Sequence, residues 1–198
     1  MNYKEVVNLK CPGCGAPVNT QLTNCPYCNR EIIISSYGSV ETLTPLELNK
    51  SLSAYKQALQ DNKDNSNLNF SLAICFMKSG LYESAIPYLD KAIAVNPFCA
   101  DYYFYRACAT LKGKIPFLLS RKEIDEIERF IVSGIATEQK PIYYYLYAYV
   151  RYDYFYRKCF NVSPGYMELL QEAKNLGLSL KDVETFYTML GHKRPECL

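Results

Sequence analysis

With 198 residues, 22 Lys and Arg against 20 Asp and Glu, and a formal net charge of +2, the chain lacks the basic excess that draws proteins to nucleic acid or anionic membranes. A hydrophobic content of 49% and a charged content of 21% are ordinary for a soluble globular protein of one domain, or of a small and a larger one. Nine cysteines, an odd number with paired short spacings, argue against a secreted disulfide scaffold and for a reducing compartment where thiolates stay free to hold metal. Met1 to Lys10 contains no apolar core of signal-peptide length. The aromatic run 142–160 is broken by Arg151, Asp153, Arg157 and Lys158, so it is not a membrane span. Cytoplasm, of a bacterial cell, is the expected location.

The chain opens on two Cys-x-x-Cys pairs, Cys11 with Cys14 and Cys25 with Cys28, separated by residues 15–24. A two-residue gap turns both thiolates of a pair toward one ion. Gly15, and less ideally Asn29, suit the left-handed conformation that follows the second cysteine. Two such knuckles close a shell of four thiolates with no open position for substrate or water. The spacing resembles a zinc ribbon, placed at residues 1–34, with structural zinc as its cofactor. Iron held as in rubredoxin is the leading competitor, and a redox pair is weaker because one Cys-x-x-Cys suffices for that chemistry. A module this short cannot bury enough apolar surface to fold unaided, so metal must supply much of its stability.

The ribbon reads either as a folding staple or docking knob, or as a nucleic-acid reader. From position 4 to position 30 its only cations are Lys4, Lys10 and Arg30, too few for tracking phosphate. Glu31 to Ile34 is a β-branched run expected to form the last ribbon strand. Residues 35–43, with two serines, Gly38 and Ser39, read as a linker.

Helical sequence follows over 44–191. Thr44, Pro45 and Glu47 form a capping box with proline at the first helical position, opening a helix to about Gln60. In 69–97, Leu72, Ala73 and Phe76 share one helical face, and Ala85, Leu89 and Ala92 share another. Gly80 supplies the turn between them and Pro97 closes the unit. This spacing resembles a tetratricopeptide repeat, a helix-turn-helix unit of about 34 residues. Asn69 stands where that repeat has an aromatic and Ala73 where it has glycine.

The register extends both ways. Ser51, Leu52, Tyr55, Ala58 and Leu59 precede Ala85, Ile86, Leu89, Ala92 and Ile93 by 34 positions, marking a second helix whose first helix is missing. Asp101, Tyr103, Phe104, Ala107 and Thr110 follow Asn67, Asn69, Phe70, Ala73 and Phe76 by the same step. The next partner is delayed by eight positions to Ile127, Ile131 and Gly134. Lys114 to Leu119 is therefore an insertion, read as an apolar plug, with a second capping box at Ser120 and Glu123.

Pro141 to Lys158 is a tyrosine-rich helix, most of whose aromatics are core. Helices from Ser163 to Asn175 and from Ser179 to Gly191 follow, and 192–198 is expected to be a frayed tail. The expected fold is mostly α: eight helices in antiparallel hairpins forming a short solenoid behind a small ribbon.

No phosphate-binding loop, dinucleotide fingerprint or metal-binding His pair is present, and the single histidine, His192, has only Cys197 nearby. Catalysis is not expected. The resemblance implies a protein-binding surface lined by Asn67, Phe70, Ile74 and Met77 from one helix, with Asp101, Phe104, Cys108 and Leu111 from the next. Such an apolar groove suits an amphipathic helix or apolar peptide, unless the chain itself fills it. The expectation is a non-catalytic adaptor, with a nucleic-acid-associated regulator as the alternative; a patch of Lys10 and Arg30 with Lys112, Lys114, Arg121 and Lys122 would favour the latter.

Overall fold

A computed structural model describes residues 6–198; Lys4 and the start of the ribbon lie outside the described residues. The chain divides into two compact units after Pro97.

The first unit begins with two short antiparallel strands, β1 (Asn8–Lys10) and β2 (Pro17–Asn19), pairing Leu9 with Val18. Helices α1 (Pro45–Asp61), α2 (Ser66–Lys78) and α3 (Tyr82–Val95) follow. The capping box forms as expected: Glu47 N–H donates to Thr44 Oγ1, and Thr44 N–H donates to Glu47 Oε2 at 2.9 Å. A cap of this kind stabilises a helix by about 1 kcal/mol. Helix α2 packs most extensively on α3, with Ala73, Ala85 and Ala92 fully buried where the two backbones approach. Gly80 sits at φ 72°, the left-handed value the turn requires.

The expected third ribbon strand does not form. Glu31 makes only an isolated bridge to Asn24, and the run beyond it goes into the core, with Ile32 and Ile34 buried. Residues 35–43 are likewise packed rather than slack. They contain a 3-10 turn (Tyr37–Ser39) with Tyr37 and Val40 buried, and Lys78 Nζ on α2 donates to the Glu41 carbonyl at 2.6 Å.

The second unit holds α4 (Ala100–Thr110), α5 (Arg121–Thr137), α6 (Pro141–Val150), α7 (Tyr166–Asn175) and α8 (Leu180–Leu190). Helix α4 pairs with α5 and α6 with α7. The displaced face is the one expected: Ile127, Ile131 and Gly134 are buried, and Ile124 joins them. A Cβ at Gly134 would already touch the Ala100 carbonyl and Tyr103 at 3.5 Å, so these helices run close together. The inserted loop folds as a 3-10 turn (Pro116–Leu118) with Pro116 and Leu119 buried, which fits the plug, although Leu118 stays 67% exposed.

Helix α6 continues through a π-turn (Arg151–Phe155) and a 3-10 turn (Tyr156–Lys158). Its tyrosines are mostly core, and their hydroxyls find partners: Tyr143 donates to Asp101 at 2.6 Å and Tyr145 to Tyr187 Oη at 3.2 Å. Phe186 and Tyr187 on α8 meet Tyr145 and Tyr149 edge-on, which fixes α8 against α6. Helix α7 starts at Tyr166, three residues after Ser163. The tail is held rather than frayed. His192 Nε2 lies 2.8 Å from the Gly113 carbonyl, Arg194 Nε donates to the Leu198 carbonyl, and Leu198 is buried.

Candidate functional site

The four ribbon cysteines converge. Each knuckle repeats the same two main-chain bonds: Gly15 N–H to the Cys11 carbonyl and Cys11 N–H to the Ala16 carbonyl, then Asn29 N–H to the Cys25 carbonyl and Cys25 N–H to the Arg30 carbonyl, all at 2.8–2.9 Å. Gly15 and Asn29 take positive φ, 81° and 57°, as the spacing demands. The sulfurs of Cys11, Cys14, Cys25 and Cys28 lie within 4.8 Å of one another. Cys11 and Cys28 are 3.6 Å apart, and Cys14 and Cys25 3.7 Å. A tetrahedral shell with metal–sulfur bonds of about 2.3 Å has edges of about 3.8 Å, so the donor set fits a thiolate-bound divalent ion. Gly13 N–H donates to Cys11 Sγ at 3.3 Å, lending the sulfur partial compensation for negative charge.

The thiols differ in acidity. Burial pushes the Cys11 thiol up to about 12. Burial also raises Cys25, but hydrogen bonds from the Tyr27 and Cys28 backbone and from the neighbouring cysteines outweigh it and bring that thiol down to about 7.

What surrounds the ribbon was not expected. Tyr55 on α1 donates to the Ile32 carbonyl at 2.8 Å. Ser71 on α2 exchanges two bonds with Ile34, accepting from its N–H at 3.0 Å and donating to its carbonyl at 3.2 Å. Ser51 reaches the Pro12 carbonyl at 3.3 Å, and Arg30 Nη2 pairs with Glu47 Oε1 at 2.5 Å. The signal was present in part: Ser51 and Ser71 are hydroxyls set in buried helix faces, and a buried hydroxyl needs a partner. Ribbon and following segment thus pack on α1 and α2. Arg30, one of the cations a nucleic-acid reader would turn to phosphate, is spent on Glu47.

The expected groove is corrected. Phe70, Ile74, Met77, Phe104, Cys108 and Leu111 are all buried, at most 6% exposed. Helix α2 is buried at every position from Leu68 to Met77, the signature of a helix inside the structure rather than lining a surface. Phe104 stacks on Tyr143 with centroids 5.2 Å apart and lies against Tyr105 and Phe186. Asn67 and Asp101 remain half-exposed, and Asp101 pairs with Lys140 at 2.9 Å. Both ring nitrogens of His192 face other partners, the Gly113 carbonyl and Tyr149 Oη. Burial drives the Cys75 thiol up to about 12 and Cys108 well above its ordinary value, so both behave as small apolar groups.

Residues 47–111 match the family model for the tetratricopeptide repeat. A solved structure titled "Crystal structure of MamA" shares the fold, with a TM-score of 0.50 and 20% identity over 81% of this chain and 95% of that one. No curated protein matches in sequence. The fold is therefore mostly helical, built of tetratricopeptide-like hairpins beside a small N-terminal four-cysteine site. Among the described residues no helix is long and apolar enough to cross a membrane.

Proposed function

We propose that this chain is a non-catalytic protein-interaction scaffold whose N-terminal ribbon binds one structural zinc ion through Cys11, Cys14, Cys25 and Cys28. The observation that carries the proposal is the docking of the ribbon on α1 and α2 through Tyr55, Ser51, Ser71 and Glu47. Zinc in a closed thiolate shell contributes folding energy and no reactivity. Here it braces the segment that shields two helices of a hairpin array. Helix hairpins of the tetratricopeptide type serve by presenting surface to other proteins, and their stability comes from neighbours covering each exposed face. Four reduced thiols plus five further free cysteines suit a reducing compartment, the cytoplasm.

Elemental analysis of the purified chain tests the metal, with one zinc per chain expected and iron or no metal contradicting it. Co-purification of the tagged chain from its native cell tests the scaffold: a stoichiometric protein partner is expected, and a chain recovered alone contradicts it.

A further inference from the structure

The second unit carries a cluster where aromatic and cationic side chains alternate from buried Tyr154 out to the exposed Arg157 and Phe160. Phe117, in the inserted loop, has Arg157 at 4.6 Å and Lys158 at 4.9 Å from its ring centroid. Lys158 also lies 3.8 Å from the ring centre of Tyr154, and Tyr154 is 6.3 Å from Phe160. The loop is tied to this helix end from below: Phe117 N–H donates to Asp153 Oδ2 at 2.7 Å, and Arg157 holds the other oxygen. Cys159 adopts the left-handed conformation at φ 61°, and Phe160 N–H closes back on the Phe155 carbonyl. That reversal sets Phe160 beside Tyr154 instead of carrying it away. Leu118 and Phe160 are 67% and 53% exposed.

The charge here is one-sided. Residues 112–122 and 151–160 contain seven Lys and Arg against the single carboxylate of Asp153, which is buried and fully engaged. Four of the seven pair with carboxylates. Lys114, Lys122 and Lys158 have none within salt-bridge distance among the described residues. Three ammonium groups without a carboxylate are few for a phosphate backbone, whose binding grows with the number of charges neutralised. Exposed Leu118 and Phe160 add apolar area that phosphate would not cover, while large apolar and aromatic side chains rimmed by charge are the anatomy of a protein interface.

We propose that this patch docks an acidic segment of a partner protein, its carboxylates meeting Lys114, Lys122 and Lys158 and an apolar side chain seating on Leu118 and Phe160. The inference rests on the scaffold function above and names the surface that performs it.

The test uses the full zinc-loaded chain and fluorescence anisotropy. The probe is a short labelled peptide of Asp and Glu interspersed with Leu and Phe. Its counterparts replace the acids by Lys or the apolar residues by Ser, and a single-stranded oligonucleotide of equal charge serves as the fourth ligand. The acidic, apolar peptide should bind best, and Lys158→Glu or Leu118→Asp should each weaken it roughly tenfold. Leu118 is exposed and Lys158 half-exposed, and an unchanged thermal melt verifies that the variants fold. No binding of the peptide, equal binding by the variants, or tighter binding of the oligonucleotide overturns the proposal. If a native partner still co-purifies undiminished with Leu118→Asp, this surface is wrong while the scaffold function stands.

Discussion

Tyr55 gives its hydroxyl hydrogen to the main-chain oxygen of Ile32 across 2.8 Å, in a place where both are closed to water. That bond joins the end of the cysteine ribbon to the first helix. It explains why an apolar run suited to a strand does not become one: the Ile32 carbonyl and both main-chain groups of Ile34 are spent on helix side chains, and only the Ile32 N–H stays within the ribbon, on the Thr23 carbonyl. Tyr55→Phe leaves the Ile32 carbonyl buried without a partner, so it should cost about 1–3 kcal/mol. Urea unfolding at neutral pH measures this; a midpoint equal to wild type would mean the bond contributes nothing.

Phe104 belongs to the core rather than to a ligand surface. Phe104→Ala should therefore destabilise by about 3–5 kcal/mol. Leu118→Asp, at an exposed position, should stay within about 0.5 kcal/mol of wild type. Chemical denaturation of the two variants side by side tests the assignment, and the opposite ranking would return Phe104 to the surface.

What could be read from the residues alone was mainly local. The two knuckles, both capping boxes and the 34-residue register are set by short-range geometry, and each lies where the sequence places it. The eight-position delay of the next helix was legible because Glu123 and Glu126 cannot form a buried face, whereas Ile127 and Ile131 can. The failures all depend on partners distant in sequence. Glu31 to Ile34 has strand-like composition, yet Tyr55 and Ser71 claim it. Tyr37 and Val40 look like linker residues but are buried. His192 looked like part of a loose tail until Gly113 offered it a carbonyl 79 positions away. The groove failed for a related reason, since Phe70 or Phe104 has the same composition whether it lines a cleft or fills a core.

Acid should weaken the first unit through Glu47. The Thr44 backbone N–H, followed by the Arg30 guanidinium and the Thr44 hydroxyl, holds its carboxyl at about 2, below the usual 4.5. Because the folded value is the lower one, the stabilisation is complete above about 4.5 and is lost as pH falls toward 2. Glu47→Gln should lower stability at pH 7 and narrow its gap to wild type across that window. Thermal melts from pH 7 to acid, compared between the two proteins, check this; a gap that is constant with pH would contradict it. Protonation of the metal thiolates affects both proteins alike and cancels in the comparison.

Thiol chemistry should sort the nine cysteines by environment. Cys159 and Cys197 are exposed, Cys99 is intermediate, and Cys75 and Cys108 are buried. With zinc bound, a thiol reagent should titrate Cys159 and Cys197 quickly and Cys99 slowly. The four ribbon thiols should appear only after chelation, and Cys75 and Cys108 only on unfolding. Rapid reaction of all nine in the native protein would contradict the metal site and the core together.

Cysteine replacement should act at a distance from the ion. Cys25→Ser should abolish stoichiometric zinc and destabilise α1 and α2, because the ribbon that covers them loses its brace. Proteolysis of the variant should begin before residue 45. Cleavage starting instead in the second unit would show that the ribbon does not shield the helices.

The most direct measurement is hydrogen exchange at the Ile34 amide, which donates to Ser71 at the seam between ribbon and helix. In zinc-loaded protein that amide should be strongly protected. Chelation should release it, together with amides of α1 and α2, while α4 to α8 keep their protection. An Ile34 amide that exchanges at the same rate with and without metal would contradict the claim that a thiolate-bound ion holds this cover in place.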